Sequence, residues 1–168
     1  MILRRRERLP AELVALLDRD ERIVSWARTD DDVVAASNRG LWVPPYRRIG
    51  WEFVDKAVWR DGVLTVIEAD LVDDLLLRDR PPLYLRLTEP RDLPPTVRRR
   101  IEGSVVDSEV LAIDGGAARF VGRRVPGRDG VSWWARLEPG TRDSEPARAS
   151  VRAQVDVLVA GWSVDQPR

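Results

Sequence analysis

The feature that most constrains the fold is a long stretch of two-residue periodicity that ends in a single helical stretch. Between residues 22 and 88, apolar and polar residues alternate in short runs separated by turn residues, a pattern typical of antiparallel strands. Asp61-Gly62 predicts a tight type I′ hairpin that sets Trp59 opposite Leu64 and Val58 opposite Thr65. The predicted strands span residues 22–28, 32–37, 41–43, 54–60, 63–69 and 83–88.

Two amphipathic helices are predicted on either side of this stretch. Val97, Ile101 and Val105 recur at four-residue steps after Pro94-Pro95, which predicts a helix over 94–106 that covers the open end or face of the sheet. A leucine-rich segment predicts a shorter helix over 10–18 that packs as a lid or brace.

The remaining residues predict the same order of strands followed by a helix, over a shorter stretch of chain. Strands are predicted at 108–113, 117–125 and 131–138, followed by a helix capped by Asp143 or Ser144. The fold class is therefore α+β, with an arm and short helix at 1–19, a sheet with its capping helix at 20–106, and a small β-β-β-α lobe at 107–168. The patterns leave open whether this lobe extends the first sheet or folds apart.

The composition excludes much of the usual catalytic chemistry. The chain contains no cysteine and no histidine, which excludes thiolate and imidazole metal sites and every triad that uses histidine. A carboxylate-dependent enzyme remains a third hypothesis, and it requires two acids in one pocket with a raised pKa. We expect no enzyme activity, no cofactor and no metal. No signal-like or membrane-spanning stretch is apparent, so a cytoplasmic protein is expected.

A resemblance to a known family rests on two motifs. The turn Ser37-Asn38-Arg39-Gly40 feeds the apolar strand Leu41-Trp42-Val43, and Ile49-Gly50-Trp51-Glu52-Phe53-Val54 precedes the Asp61-Gly62 hairpin. This arrangement resembles the bacterial pleckstrin-homology-like (PH-like) domains over residues 20 to 106. The resemblance implies a partly open, seven-stranded antiparallel barrel capped by one helix, with the missing strand at 49–51 or 71–77. The C-terminal lobe resembles no family that we recognise.

The family resemblance also implies a binding or scaffold role. Phosphoinositide-binding relatives use basic side chains in the first loop, where this chain has Thr29-Asp30-Asp31-Asp32. Three carboxylates repel an inositol phosphate, so no phosphoinositide headgroup is expected at the Asp30–Asp32 loop. The preferred hypothesis is a non-catalytic cytoplasmic module that recognises a protein partner through an exposed sheet edge or an apolar face.

Three of the seven tryptophans are candidates for partner binding. Most of the seven lie in predicted strands or on an apolar stripe, where core packing explains them. Trp42, Trp51 and Trp134 are the exceptions that we expect on the face opposite the core. The preferred hypothesis therefore predicts an exposed patch containing one or more of these three residues.

The alternative hypothesis is a nucleic-acid or phosphate-binding protein that uses clustered arginines. Arg119, Arg123 and Arg124 are the candidate anion-binding residues, with further clusters at Arg4 to Arg6 and Arg98 to Arg100. The formal net charge is zero, which favours the interpretation of these clusters as solvated faces neutralised by neighbouring acids. The partner's identity and any homo-oligomer are not encoded in these patterns.

Overall fold

The computed structural model describes residues 8–165 of the chain. It is mixed α+β, as the sequence predicts, with antiparallel sheets and helices packed on them. Arg4 to Arg6, one of the predicted basic clusters, lie outside the described residues. The strands are β1 Ile23–Arg28, β2 Val33–Ser37, β3 Gly40–Val43, β4 Arg47–Gly50, β5 Val54–Arg60, β6 Val63–Leu71, β7 Leu77–Asp79, β8 Leu83–Arg86, β9 Val105–Ile113, β10 Gly116–Arg123 and β11 Ser132–Leu137. The helices are α1 Ala11–Leu16, α2 Leu93–Ser104 and α3 Glu145–Asp165.

Two four-stranded sheets enclose the main core. The N-terminal sheet has the order β1-β2-β3-β4, and the hairpin sheet consists of β5, β6 and β7 with β8 also paired to β6. The backbones of Arg28 and Glu89 form an isolated bridge that joins the two sheets at one corner. Neither sheet closes on itself within residues 8–165, so we refer to the pair as the open barrel.

The central hairpin has the predicted geometry. Trp59 pairs with Leu64 and Val58 pairs with Thr65. Asp61 and Gly62 have φ values of 50° and 77°, the left-handed conformation that a type I′ turn requires at both central positions. Of the two places proposed for the missing strand, 49–51 overlaps β4, whereas 71–77 is the connection between β6 and β7 and shares only its end residues with those strands.

Helix α2 covers the core between the two sheets. Leu93, Val97 and Ile101 share its buried stripe and pack against the inner residues of both sheets, as the spacing of Val97 and Ile101 predicts. The placement of Val105 in this helix is wrong, because α2 ends at Ser104 and Val105 begins β9. Helix α1 buries Leu13 against the outer face of the N-terminal sheet, which confirms its predicted role as a brace. The N-terminal sheet is therefore covered on both faces.

The C-terminal lobe is the predicted β-β-β-α unit, with sheet order β11-β10-β9 and α3 packed on one face. Ser144 caps α3 by accepting a hydrogen bond from the Ala147 amide at 3.3 Å. The other face of the lobe contacts the open barrel, and Ala135 of β11 donates a backbone hydrogen bond of 2.8 Å to Leu75. The lobe and the open barrel thus share a packed boundary, while the proposed domain limits stay a prediction.

Candidate functional site

The prediction that Trp42 lies exposed is wrong. Trp42 is on the outer face of the N-terminal sheet, but α1 covers that face and leaves the residue 6% exposed. Its indole Nε1 donates to Glu21 Oε1 at 2.9 Å, and the Arg48 guanidinium lies 5.7 Å from its ring centroid. The alternation of residues within a strand shows which side chains share a face of the sheet. It does not show whether a helix distant in sequence covers the outer face.

Trp51 and Trp134 are also buried, so their predicted exposure is wrong as well. Trp51 belongs to the barrel core and donates its Nε1–H to the carbonyl oxygen of Ser37 at 3.0 Å. Trp134 points away from α3, as its alternation predicts, but meets Phe53 of the open barrel at 6.0 Å between ring centroids. Both faces of β11 are covered because the lobe packs on the barrel.

The three predicted anion-binding arginines lie in three different environments. Arg119 is exposed and forms an ion pair with Glu138 at 3.3 Å. Arg123 is buried, with 4% of its surface exposed. Arg124 is exposed and lines a cleft beside α2. The structure therefore does not bring the three guanidinium groups onto one surface.

The cleft that contains Arg124 has a volume of about 460 Å³ and runs along one flank of α2. We call it the basic cleft because Arg99, Arg100 and Arg124 line it, and Asp92 contributes its one carboxylate. Two of these arginines belong to the predicted Arg98-to-Arg100 cluster. The full set of lining residues is Val24, Asn38, Trp51, Asp92, Thr96, Arg99, Arg100, Gly103, Ser104, Arg124 and Pro126.

Arg123 lies directly behind the wall of the basic cleft. Its guanidinium donates to the Ser104 hydroxyl at 2.7 Å and, at 3.5 and 3.4 Å, to the carbonyl oxygens of Ile101 and Val54. No carboxylate of the described residues forms an ion pair with it. Burial lowers its pKa below the ordinary arginine value, and the nearby Arg136 cation acts in the same direction, while the Asp55 and Glu52 carboxylates oppose the shift. An arginine nevertheless stays protonated in proteins, so a buried positive charge lies behind Ser104.

The opposite flank of α2 borders a second, more apolar groove. It has a volume of about 480 Å³ and is lined by Ala57, Val58, Trp59, Leu64, Pro94, Pro95 and Arg98. We call it the edge groove because β5 forms the free edge of the hairpin sheet. Trp59 is 40% exposed and Val58 is 41% exposed, and as consecutive residues of β5 they point to opposite faces of the strand.

Sequence reasoning missed Trp59 by assigning it to the core. It pairs with the fully buried Leu64 and shares its face, but it lies only two residues before Asp61, where the turn begins. The core does not extend to the tip of the hairpin, so the indole projects beside Pro94 and Pro95 of α2. Its closeness to the Asp-Gly turn is the signal that points to this exposure.

The outer edge of β5 has no strand partner among the described residues. Within residues 8–165, the backbone groups of residues 55–60 form ladder hydrogen bonds only with β6. Lys56 and Arg60 lie on this edge and are exposed, and charged side chains of this kind keep a free edge from pairing indiscriminately. A strand that pairs here must therefore match both the charge and the groove.

The acidic residues with clear pKa shifts form structural ion pairs. Burial opposes ionisation of Glu21, but hydrogen bonds from Ser37, Trp42 and the Asp18 amide, together with the Arg48 cation, outweigh it and lower its pKa. A hydrogen bond from Arg48 lowers the pKa of Asp18, and one from Arg148 lowers that of Asp143. Lowered values suit permanent anions rather than general acids, so this chemistry does not favour the carboxylate-enzyme hypothesis.

Other acids of the hairpin sheet are likewise engaged with arginines. Glu68 accepts two hydrogen bonds from Arg47, and Asp73 accepts one from Arg152 at 3.0 Å. Among the described residues, no cluster of three potential ligands could hold a metal ion. No helix in the described part of the chain is long and apolar enough to cross a membrane.

Comparisons with known proteins give no relative for this chain. The protein-family models, the curated proteins and the solved structures contain no match to it. The resemblance to PH-like domains therefore stays a prediction.

Proposed function

We propose that this protein is a non-catalytic binding or scaffold module of the cytoplasm that holds an extended segment of a protein partner in the edge groove. The observation that carries this proposal is the coincidence of a free strand edge with exposed apolar side chains. Among the described residues no strand pairs with the outer edge of β5, and Trp59 of this strand is 40% exposed. Extended peptides bind to such edges through main-chain hydrogen bonds, and adjacent pockets supply specificity.

The shape of the groove favours a strand rather than a helix as the ligand. One wall is the edge strand β5, and the other is formed by Pro94, Pro95 and Arg98 of α2. A proline at the first turn of a helix has no N–H to donate, so this wall offers apolar contact and leaves β5 as the source of backbone hydrogen bonds. An added strand can form backbone hydrogen bonds with the unpaired N–H and C=O groups of β5, whereas the backbone groups of a helix are already hydrogen-bonded within the helix.

The charges at the edge specify the partner's composition. Arg98 is neutralised by Glu102 at 2.7 Å and Arg60 contacts Asp61 at 3.4 Å, while Lys56 has no ion pair within residues 8–165. Lys56 and Val58 are two residues apart on one face of β5, about 7 Å along the strand. The proposed ligand is therefore an extended peptide with an acidic residue opposite Lys56 and an apolar residue two positions away.

The first test is a selection from a random peptide library against the full chain. We expect enriched peptides to combine acidic and apolar residues at alternate positions. A synthetic peptide of the enriched sequence should bind the Trp59→Ala variant at least about tenfold more weakly, because the groove loses its largest contact surface.

The matched control is Tyr84→Ala. Tyr84 is 69% exposed on β8 of the same sheet but does not line the groove, so its removal should leave peptide affinity unchanged. Circular dichroism would verify that both variants fold. Equal binding to the parent protein and to Trp59→Ala, or an equal loss in Tyr84→Ala, would contradict the proposal.

A further inference from the structure

The geometry points to a second binding site, independent of the edge groove: the basic cleft binds a small molecule that carries phosphate groups. Arg99, Arg100 and Arg124 line this cleft, and Asp92 is the carboxylate among them. Guanidinium groups bind phosphate oxygens through paired, charge-assisted hydrogen bonds. The lining therefore has the composition of a phosphate site.

Two of the three arginines have no engagement elsewhere in the described structure. Neither Arg100 nor Arg124 forms a side-chain hydrogen bond or an ion pair within residues 8–165, whereas Arg98 and Arg119 are paired with Glu102 and Glu138. Arg99 donates to the Thr96 hydroxyl at 3.1 Å, which orients it on the helix without neutralising it. The Asp92 carboxylate accepts from the Ser25 hydroxyl at 2.8 Å. The cleft thus carries an excess positive charge in a protein whose net charge is zero.

The buried cation of Arg123 strengthens this field. Arg123 is 4% exposed and donates to Ser104, whose side chain forms part of the cleft wall. Asp55 and Glu52 act on this cation electrostatically but form no ion pair with it. A buried charge without a direct ion pair is costly to the fold, and it acts through a low local dielectric that screens it little. An anion in the cleft would compensate this charge as well as those of the exposed arginines.

The dimensions of the cleft favour a small ligand over a long polyanion. Its volume of about 460 Å³ lies within the range of small-molecule sites. A nucleic acid binds along an extended basic surface with many phosphate contacts. Arg119 on β10 does not extend the basic cleft into such a surface, because it is paired with Glu138. The preferred ligand is therefore a compact phosphorylated molecule.

Gly103 provides a way to close the cleft without changing its charge. This residue lines the cleft within α2, and a Cβ atom built on it meets nothing within 4 Å. A Gly103→Met side chain therefore has room to extend into the cleft while the helix is retained. Loss of binding in this variant would show that the ligand enters the cleft itself.

The test is a calorimetric titration of the full chain with pyrophosphate at low ionic strength. We expect saturable binding that weakens about tenfold in Arg100→Gln and in Arg124→Gln, as expected for the loss of one charge-assisted contact. Gly103→Met should also weaken it. The control variant Arg119→Gln removes an exposed arginine outside the cleft and should bind like the parent protein.

Three outcomes would overturn the inference. One is the absence of pyrophosphate binding at low salt, and another is an equal loss of affinity in Arg119→Gln and Arg124→Gln, which indicates diffuse attraction. The third is a preference for another anion. In that case a single-stranded oligonucleotide, or vesicles containing anionic lipid, would bind and would not be displaced by excess pyrophosphate. Peptide binding at the edge groove should be unchanged in Arg124→Gln, so failure of either proposal can be recognised separately.

Discussion

The two flanks of α2 differ sharply although they belong to one short helix. Pro94, Pro95 and Arg98 border the apolar edge groove, while Arg99, Arg100 and Gly103 border the basic cleft. The buried stripe between the flanks is continuous. The difference arises from the neighbour on each side, since the edge groove faces the strand β5 and the basic cleft faces the segment around Arg124. One capping helix can thus present two chemically distinct surfaces.

The largest expected effect is a loss of stability when the tryptophan buried beside the basic cleft is replaced, compared with replacement of the exposed tryptophan in the edge groove. Trp51 is 2% exposed and contacts both the cleft and the barrel core. Trp51→Ala should lower the free energy of unfolding by about 3–5 kcal/mol, as measured by urea denaturation. Trp59→Ala should lower the free energy of unfolding much less, because this indole is 40% exposed. Equal losses of unfolding free energy in the two variants would contradict the difference in burial between Trp51 and Trp59.

A second prediction concerns the ion network that anchors the turn beside the cleft. Glu21 accepts hydrogen bonds from Ser37, Trp42 and Arg48. Glu21→Gln removes the buried charge that these donors surround and should destabilise the fold by about 2 kcal/mol at neutral pH, since Arg48 is only partly buried.

The pH dependence of this effect has a defined sign. The folded pKa of Glu21 lies below its ordinary value of 4.5, so its contribution is fully present above 4.5 and is lost as the pH falls through the folded pKa. The parent protein should therefore lose more stability on acidification than Glu21→Gln does. Urea titrations at several pH values would measure this, and parallel curves for the two proteins would contradict it.

The smallest expected effect tests the openness of the cleft flank of α2. Gly103 is helical and has free space around its missing Cβ, so Gly103→Ala should stabilise the protein by about 0.5–1 kcal/mol through helix propensity. Gly62→Ala is the matched control and should destabilise it, because Gly62 has a φ of 77°. A loss of stability in Gly103→Ala would show that this flank is packed rather than open.

Local sequence patterns predicted the elements whose geometry depends on near neighbours. The Asp61-Gly62 turn fixes the register of Trp59 and Leu64, and Ser144 caps α3 within one turn of chain. The stripe of Val97 and Ile101 likewise follows from spacing alone. Each of these features depends on a few consecutive residues.

The positions of the candidate site residues depend on contacts between distant segments. Trp42 is buried by α1 and Trp134 by the open barrel, and no pattern within their own strands reports either contact. Arg123 and Arg124 are adjacent in sequence, yet one is buried behind the cleft and the other lines it. The exposure of Trp59 follows from where the core ends, which also requires the assembled fold.

The most direct test of two separate binding surfaces on α2 is an NMR titration of one isotope-labelled sample of the full chain. Pyrophosphate should shift amide signals of residues 99–104 and 124, and the selected peptide should shift those of residues 55–60, with neither ligand displacing the other. Shifts at the same residues for both ligands, or competition between them, would contradict the account.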